Sequence, residues 1–137
     1  TSRTMQKAVG EAGGPHDFVG HVGGDDFIII SQPEAAEPIG RKIIEHFRKE
    51  IPEFYTPEHR QAGHVVAVGR DGIRREFSFV SVSIGIVDFA FDEDFTLADL
   101  RTRAAMLNKY AKSKWGNSCV RDRRSPLGSK SNDDDAH

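Results

Sequence analysis

Cysteine is nearly absent. The 137-residue chain has one, Cys119, which excludes an internal disulfide and any cysteine-rich zinc site; it reads as a small buried hydrophobe. Long apolar runs are missing too. No stretch approaches the roughly 20 residues of a membrane span, and the first residues, Thr1-Ser-Arg-Thr-Met-Gln-Lys, lack the apolar centre of a signal peptide. The segment therefore reads as cytoplasmic, with no membrane contact. Nor does one sign of charge dominate: the net charge of -2 gives no general attraction to nucleic acid or anionic lipid. Only residues 101–124 are distinctly basic, and these charges read as a solvated helix and tail, for lack of the basic, aromatic-interleaved surface that nucleic-acid binding requires. With 37% hydrophobic and 29% charged residues, what remains is an ordinary globular composition of a length that makes one domain.

What the chain does have is Asp17-Phe-Val-Gly-His-Val-Gly-Gly-Asp-Asp-Phe-Ile-Ile-Ile-Ser31. Phe18 to Val22 and Phe27 to Ile30 have the aromatic and β-branched content of strands, and the Gly-Gly pair between them is a hairpin signal. Two carboxylates thus sit at the mouth of a tight turn. Glycine adopts positive φ without steric cost and lets a ligand approach the backbone. Since neighbouring strand residues point to opposite faces, Asp25 and Asp26 cannot both aim at one point. One of them can reach a hard cation such as Mg²⁺, which binds oxygen and keeps waters and substrate phosphates in its shell.

The rest reads in order as follows. Residues 1–9 resemble the end of a helix whose start is absent, stopped at Gly10 and Gly13-Gly14-Pro15. Ser31-Gln-Pro-Glu34 has the pattern of a capping box, opening a helix whose apolar stripe, Ala36, Ile39, Ile43, Ile44, Phe47 and Ile51, is expected to pack on the sheet. Residues 52–63 read as a broken polar connection. Strands at residues 64–68 and 73–87 are joined through Arg70-Asp-Gly72, where Asp-Gly favours a type I′ turn. On the second of these, Ser81, Ser83 and Gly85 share one face, a small-residue face suited to helix packing. Thr96-Leu-Ala-Asp99 is a second capping box, followed by a helix to about Lys114, a stop at Gly116-Asn117 with Trp115 covering the helix end, and a last strand near residues 118–122. Residues 125–137 read as a disordered tail. The pattern is α+β: a mixed sheet with helices packed on it, an α/β sandwich.

Three blocks in this order, Val19-Gly-His-Val-Gly-Gly-Asp-Asp-Phe-Ile-Ile-Ile30, Ser81-Val-Ser-Ile-Gly-Ile-Val87 and Lys109-Tyr-Ala-Lys112, resemble the GGDEF domain of the diguanylate cyclase family. Asp26 stands where the fourth motif letter is normally Glu. The resemblance implies a palm-like fold similar to that of nucleotidyl cyclases, and an activity in which two facing domains, a homodimer when active, condense two GTP into cyclic di-GMP with Mg²⁺. It implies further that Asp25 binds metal, that Asp26 is the following acidic catalytic position, that Gly23 and Gly24 lie against the nucleotide, and that Lys112 contacts its phosphates. Residues 1–124 would be the domain and an upstream sensory or receiver domain its partner.

The chain departs from the family in places. The family's first strand, with a second metal-binding Asp, and its first helix, with guanine-reading Asn and Asp, have no counterpart before Thr1, so the domain reads as truncated at its amino terminus and inactive alone. Asp26 is one methylene short, a loss of reach of over ~1 Å, comparable to misplacements that cost roughly 100-fold in rate. At the product-inhibition motif Asp17 is present, but Gly14 stands where an arginine is needed, leaving no guanidinium fork for cyclic di-GMP. Gly116 falls one residue later than the spacing that accompanies the Lys112 match. Two readings follow: the carboxy-terminal part of a diguanylate cyclase, or a degenerate, non-catalytic module that binds nucleotide or a protein partner in signalling. The histidines, His21 beside the turn included, show no ligand spacing and read as packed or exposed side chains rather than metal ligands.

Overall fold

The computed structural model describes residues 1–90 and 96–124; the expected tail at residues 125–137 lies outside them. The chain divides into two compact units, residues 1–82 and a second from Ser83 onward, and both mix helix with strand.

In the first unit, helix α1 (Ser2–Ala12) buries Thr4, Met5, Ala8 and Val9. It runs through Gly10, the first of the expected stops, because an exposed helical glycine costs only about 1 kcal/mol and burial of the opposite face outweighs that. The helix ends at the second, Gly13, where sterics require glycine: a Cβ there would lie 2.3 Å from an Asp17 carboxylate oxygen and 2.7 Å from the Val9 carbonyl. Helix α2 (Pro33–Glu50) buries Ile39, Gly40, Ile43, His46 and Phe47. It packs chiefly on α1, not on a sheet as its stripe suggested, since α1 offers a matching apolar face with Ala8 wholly buried. Two polar contacts cross this helix pair. The Thr4 hydroxyl donates to Glu50 at 2.9 Å, and His46, 6% exposed, meets Glu11 at 2.8 Å. The Ser31 capping box does not form. Pro33 fixes the first helical position, so Gln32 becomes the N-cap, and Ser31, one residue too early, turns its hydroxyl to the Gln32 carbonyl.

Strands β1 (Phe18–Gly23) and β2 (Asp26–Ile30) pair antiparallel from Phe18 with Ile30 to Gly23 with Asp26. The broken polar connection expected over residues 52–63 is partly ordered: a short 3₁₀ turn (Ile51–Phe54) is followed by helix α3 (Pro57–Ala62). The Thr56 hydroxyl caps α3 and Gly63, at φ 76°, ends it; the Thr-Pro start and the glycine stop are its local signals, but six residues are too few to show a helical period. Strands β3 (His64–Val68) and β4 (Arg74–Ser78) pair in register from His64 with Ser78. Their loop is not type I′, which needs positive φ at both Asp71 and Gly72 or at Arg70 and Asp71; only Gly72 has it, at 75°. The Gly72 amide closes the turn on the Gly69 carbonyl, and Asp71 accepts from the Ile73 amide.

The single strand expected over residues 73–87 is two. The Val80 amide donates to the Tyr55 hydroxyl at 3.1 Å, and the Tyr55 ring stacks on Phe79 at 4.2 Å, which diverts the chain from any ladder. The second unit therefore begins with its own strand, β5 (Ser83–Ile86), followed by α4 (Leu97–Lys112) and β6 (Ser118–Arg121), with β5 and β6 parallel. Helix α4 closes on the small residue of β5 as expected: a Cβ on Gly85 would stand 3.3 Å from the Asn108 amide and from the Leu107 side chain. The Thr96 hydroxyl caps α4 by accepting from the Asp99 amide, the N-cap half of the expected box. The Arg121 guanidinium grips both Asp88 oxygens at 2.7 and 2.9 Å. Two apolar expectations fail. Trp115 is 92% exposed, because Ser113 already satisfies the helix end through its amide and hydroxyl. Cys119 is exposed, because strand alternation turns its neighbour Ser118 inward, where the hydroxyl donates to the Ala111 carbonyl at 2.7 Å.

Among the described residues the strands thus make three two-stranded sheets rather than one sheet. The molecule is mixed α+β.

Candidate functional site

The expected hairpin carries the site. Gly24 and Asp25 are the two turn residues between Gly23, which ends β1, and Asp26, which begins β2. Gly24 has φ +55° and Gly23 +155°, both values where an L side chain is strained, and a Cβ built on either glycine meets nothing within 4 Å. The backbone is therefore both specific for glycine and open to an approaching molecule. Asp25 and Asp26 are exposed. Asp25 makes no hydrogen bond or ion pair among the described residues, so its carboxylate is available to an external cation.

The ladder shifts between His21 and Gly23, where two residues of β1 oppose one of β2. Such a bulge bends the strand and re-aims a side chain. Here it serves His21, whose ring stacks on its cross-strand partner Phe27 at 4.6 Å and 13°. The Nε2–H donates to the Gly24 carbonyl at 2.7 Å. The exposed His21 is thus packed on its cross-strand aromatic Phe27, a pairing the sequence signals, while the contact with Gly24 depends on the bulge.

Asp17 is committed elsewhere. Its carboxylate accepts from the Gly14 amide at 2.8 Å and stands over Gly13, closing the link from α1 to β1. Lys112 is exposed at the last residue of α4 in the second compact unit. Nearby, the Lys114 ammonium lies 4.6 Å above the Tyr110 ring and holds the phenol below its usual range through a hydrogen bond and its charge.

Among the described residues no three His, Cys, Asp or Glu side chains gather as a metal cage. A divalent ion at Asp25 would keep most of its shell as water or phosphate oxygen, which suits Mg²⁺ and not a cation that needs a full protein cage. A shallow hollow of about 480 Å³ lies along α2, lined by Arg41, Ile44, Glu45, Arg48 and Lys49. Glu45 there is pulled down to about 2 by hydrogen bonds from Lys49 and Lys42. No helix of the described residues is long and apolar enough to cross a membrane.

Compared with protein-family models, curated proteins and solved structures, the chain matches none of them.

Proposed function

We propose that this chain is part of a GGDEF-type signalling protein, with a palm-like fold, whose hairpin binds GTP through Mg²⁺ and whose active form condenses two GTP into cyclic di-GMP. The observation that carries the reading is the turn itself: an Asp25 carboxylate without a partner among the described residues, beside two glycines with open space above them. In this reading Asp25 anchors the ion and Gly23 and Gly24 admit the nucleotide. Asp26 supplies the second acidic position. When bound, Mg²⁺ would offset phosphate charge and favour ionisation of the attacking 3′-hydroxyl in an in-line displacement; no protein nucleophile is required. Two such sites must face each other, so the active form is a homodimer, in the cytoplasm, under control of an upstream sensory or receiver domain.

The second reading, a non-catalytic module that keeps nucleotide or protein binding, draws on the shorter Asp26 and on Asp17, whose carboxylate is engaged with the Gly14 amide. Both readings place a ligand at the hairpin, and turnover separates them. In the test, the chain and any longer protein containing it are incubated with Mg²⁺ and GTP, and binding and cyclic di-GMP are measured. The chain alone should bind without turnover, the longer protein should form product, and Asp25→Ala should abolish both. Binding that Asp25→Ala leaves unchanged, or no binding at all, would refute the hairpin site. Binding without product in the longer protein would select the non-catalytic module.

A further inference from the structure

The histidine beside the turn is held at two points, its face on Phe27 at 4.6 Å and its edge on the Gly24 carbonyl at 2.7 Å. The second contact has a geometric consequence. Every peptide bond described is trans, and in a planar trans peptide the carbonyl and the following N–H point in opposite directions. Fixing the Gly24 carbonyl toward His21 therefore turns the Asp25 N–H away from it. That N–H has no acceptor among the described residues, and the glycines before it leave the approach open. Without the imidazole, a Gly24 at φ +55° in an exposed turn is free to flip this peptide, because glycine has no Cβ to oppose the change.

We propose that His21 is the positioning residue of the hairpin: its Nε2–H locks the Gly24–Asp25 peptide so that the Asp25 amide donates to a phosphate oxygen of the same ligand whose Mg²⁺ the Asp25 carboxylate binds. The proposal rests on the Mg²⁺–GTP reading for its ligand, but not for its geometry. A backbone donor and a carboxylate on one residue would read a metal–phosphate pair as a unit, the donor giving direction where the carboxylate gives charge.

The test compares His21→Phe, which keeps a ring for Phe27 and removes the donor, with His21→Gln, whose side-chain amide restores one. NMR of the unliganded full chain reads the Asp25 amide and the Gly24 torsion, and a long-range imidazole spectrum reads which nitrogen of His21 carries the proton. Mg²⁺–GTP is then titrated into each protein. Expected are a proton on Nε2, a shifted and averaged Gly24–Asp25 peptide in His21→Phe, and binding weakened about tenfold, the weight of one hydrogen bond. His21→Gln should recover most of both, with the melting temperature nearly constant throughout. An unchanged Gly24–Asp25 peptide in His21→Phe, or a loss that His21→Gln does not repair, would overturn the positioning role. If the wild-type chain takes up no Mg²⁺–GTP, the nucleotide reading and the phosphate contact both fall, and the unliganded spectra alone decide whether His21 locks the peptide.

Discussion

Gly13 and Gly24 show one residue type required for two different reasons. At Gly24 space is free and the backbone is left-handed; at Gly13 φ is an ordinary -95° and space is missing. Gly24→Ala should therefore cost about 1 kcal/mol, the penalty of placing a Cβ in a left-handed conformation. Gly13→Ala should cost more, about 1–3 kcal/mol, the range for overpacking, because the Val9 carbonyl is backbone and cannot swing aside. Urea midpoints of the two variants against wild type give the order; an equal or reversed order would contradict the steric account. The Gly-Gly turn was legible in the sequence because turn chemistry is local. The role of His21 was not, since it depends on a one-residue bulge that no composition signal announces. Cys119 and Trp115 were misplaced for a similar reason: which face of a short strand, or which side of a helix end, looks inward is decided by its packing partners.

At the scale of elements, two segments carry the same capping pattern and only one uses it. Thr96 accepts from the Asp99 amide at 3.1 Å, whereas the helix after Ser31 starts at Pro33 with no side-chain cap. Thr96→Ala should lower stability by about 1 kcal/mol, the usual worth of an N-cap, and Ser31→Ala should change it by little, both measured by circular dichroism during denaturation. A Ser31→Ala penalty equal to that of Thr96→Ala would show that the box forms in solution. Helices α1, α2 and α4 and the strands β1 to β3 were readable from periodicity and turn residues; the short α3 was not. The break after Ser78 was not, because residues 79–82 continue the apolar strand pattern and only the Tyr55 contacts divert them. In the same way, α2 had an evident buried face, but the pattern names no partner for it, and α1 took the place expected of a sheet.

For the whole molecule, several carboxyls are held below their ordinary range by cationic or hydrogen-bonding neighbours: Glu11 by His46, Glu45 by Lys49 and Lys42, Asp71 by Arg75, and Asp122 by Arg124. A carboxyl whose folded value is depressed adds stability above its unfolded value and loses it as pH falls through the folded one. Stability should thus be nearly level from neutrality down to the ordinary carboxylate range and then decline toward pH about 2, where Glu45 titrates. The exposed pairs contribute little each. Asp122, its side chain only 7% exposed between Arg103 at 3.5 Å and Arg124 at 2.8 Å, should matter more, so Asp122→Asn should flatten the acid limb. Denaturation followed by circular dichroism from pH 7 to pH 2 checks this, and stability rising on acidification would contradict it.

The tryptophan, alone in the sequence and almost wholly bathed in water, has a consequence for any optical assay of this protein. Its indole meets nearly the same surroundings before and after the chain unravels, so its fluorescence is a poor witness to melting. It is a sensitive one for anything that settles near the far end of α4, where quenching or a blue shift would register the arrival of a visitor against a quiet background.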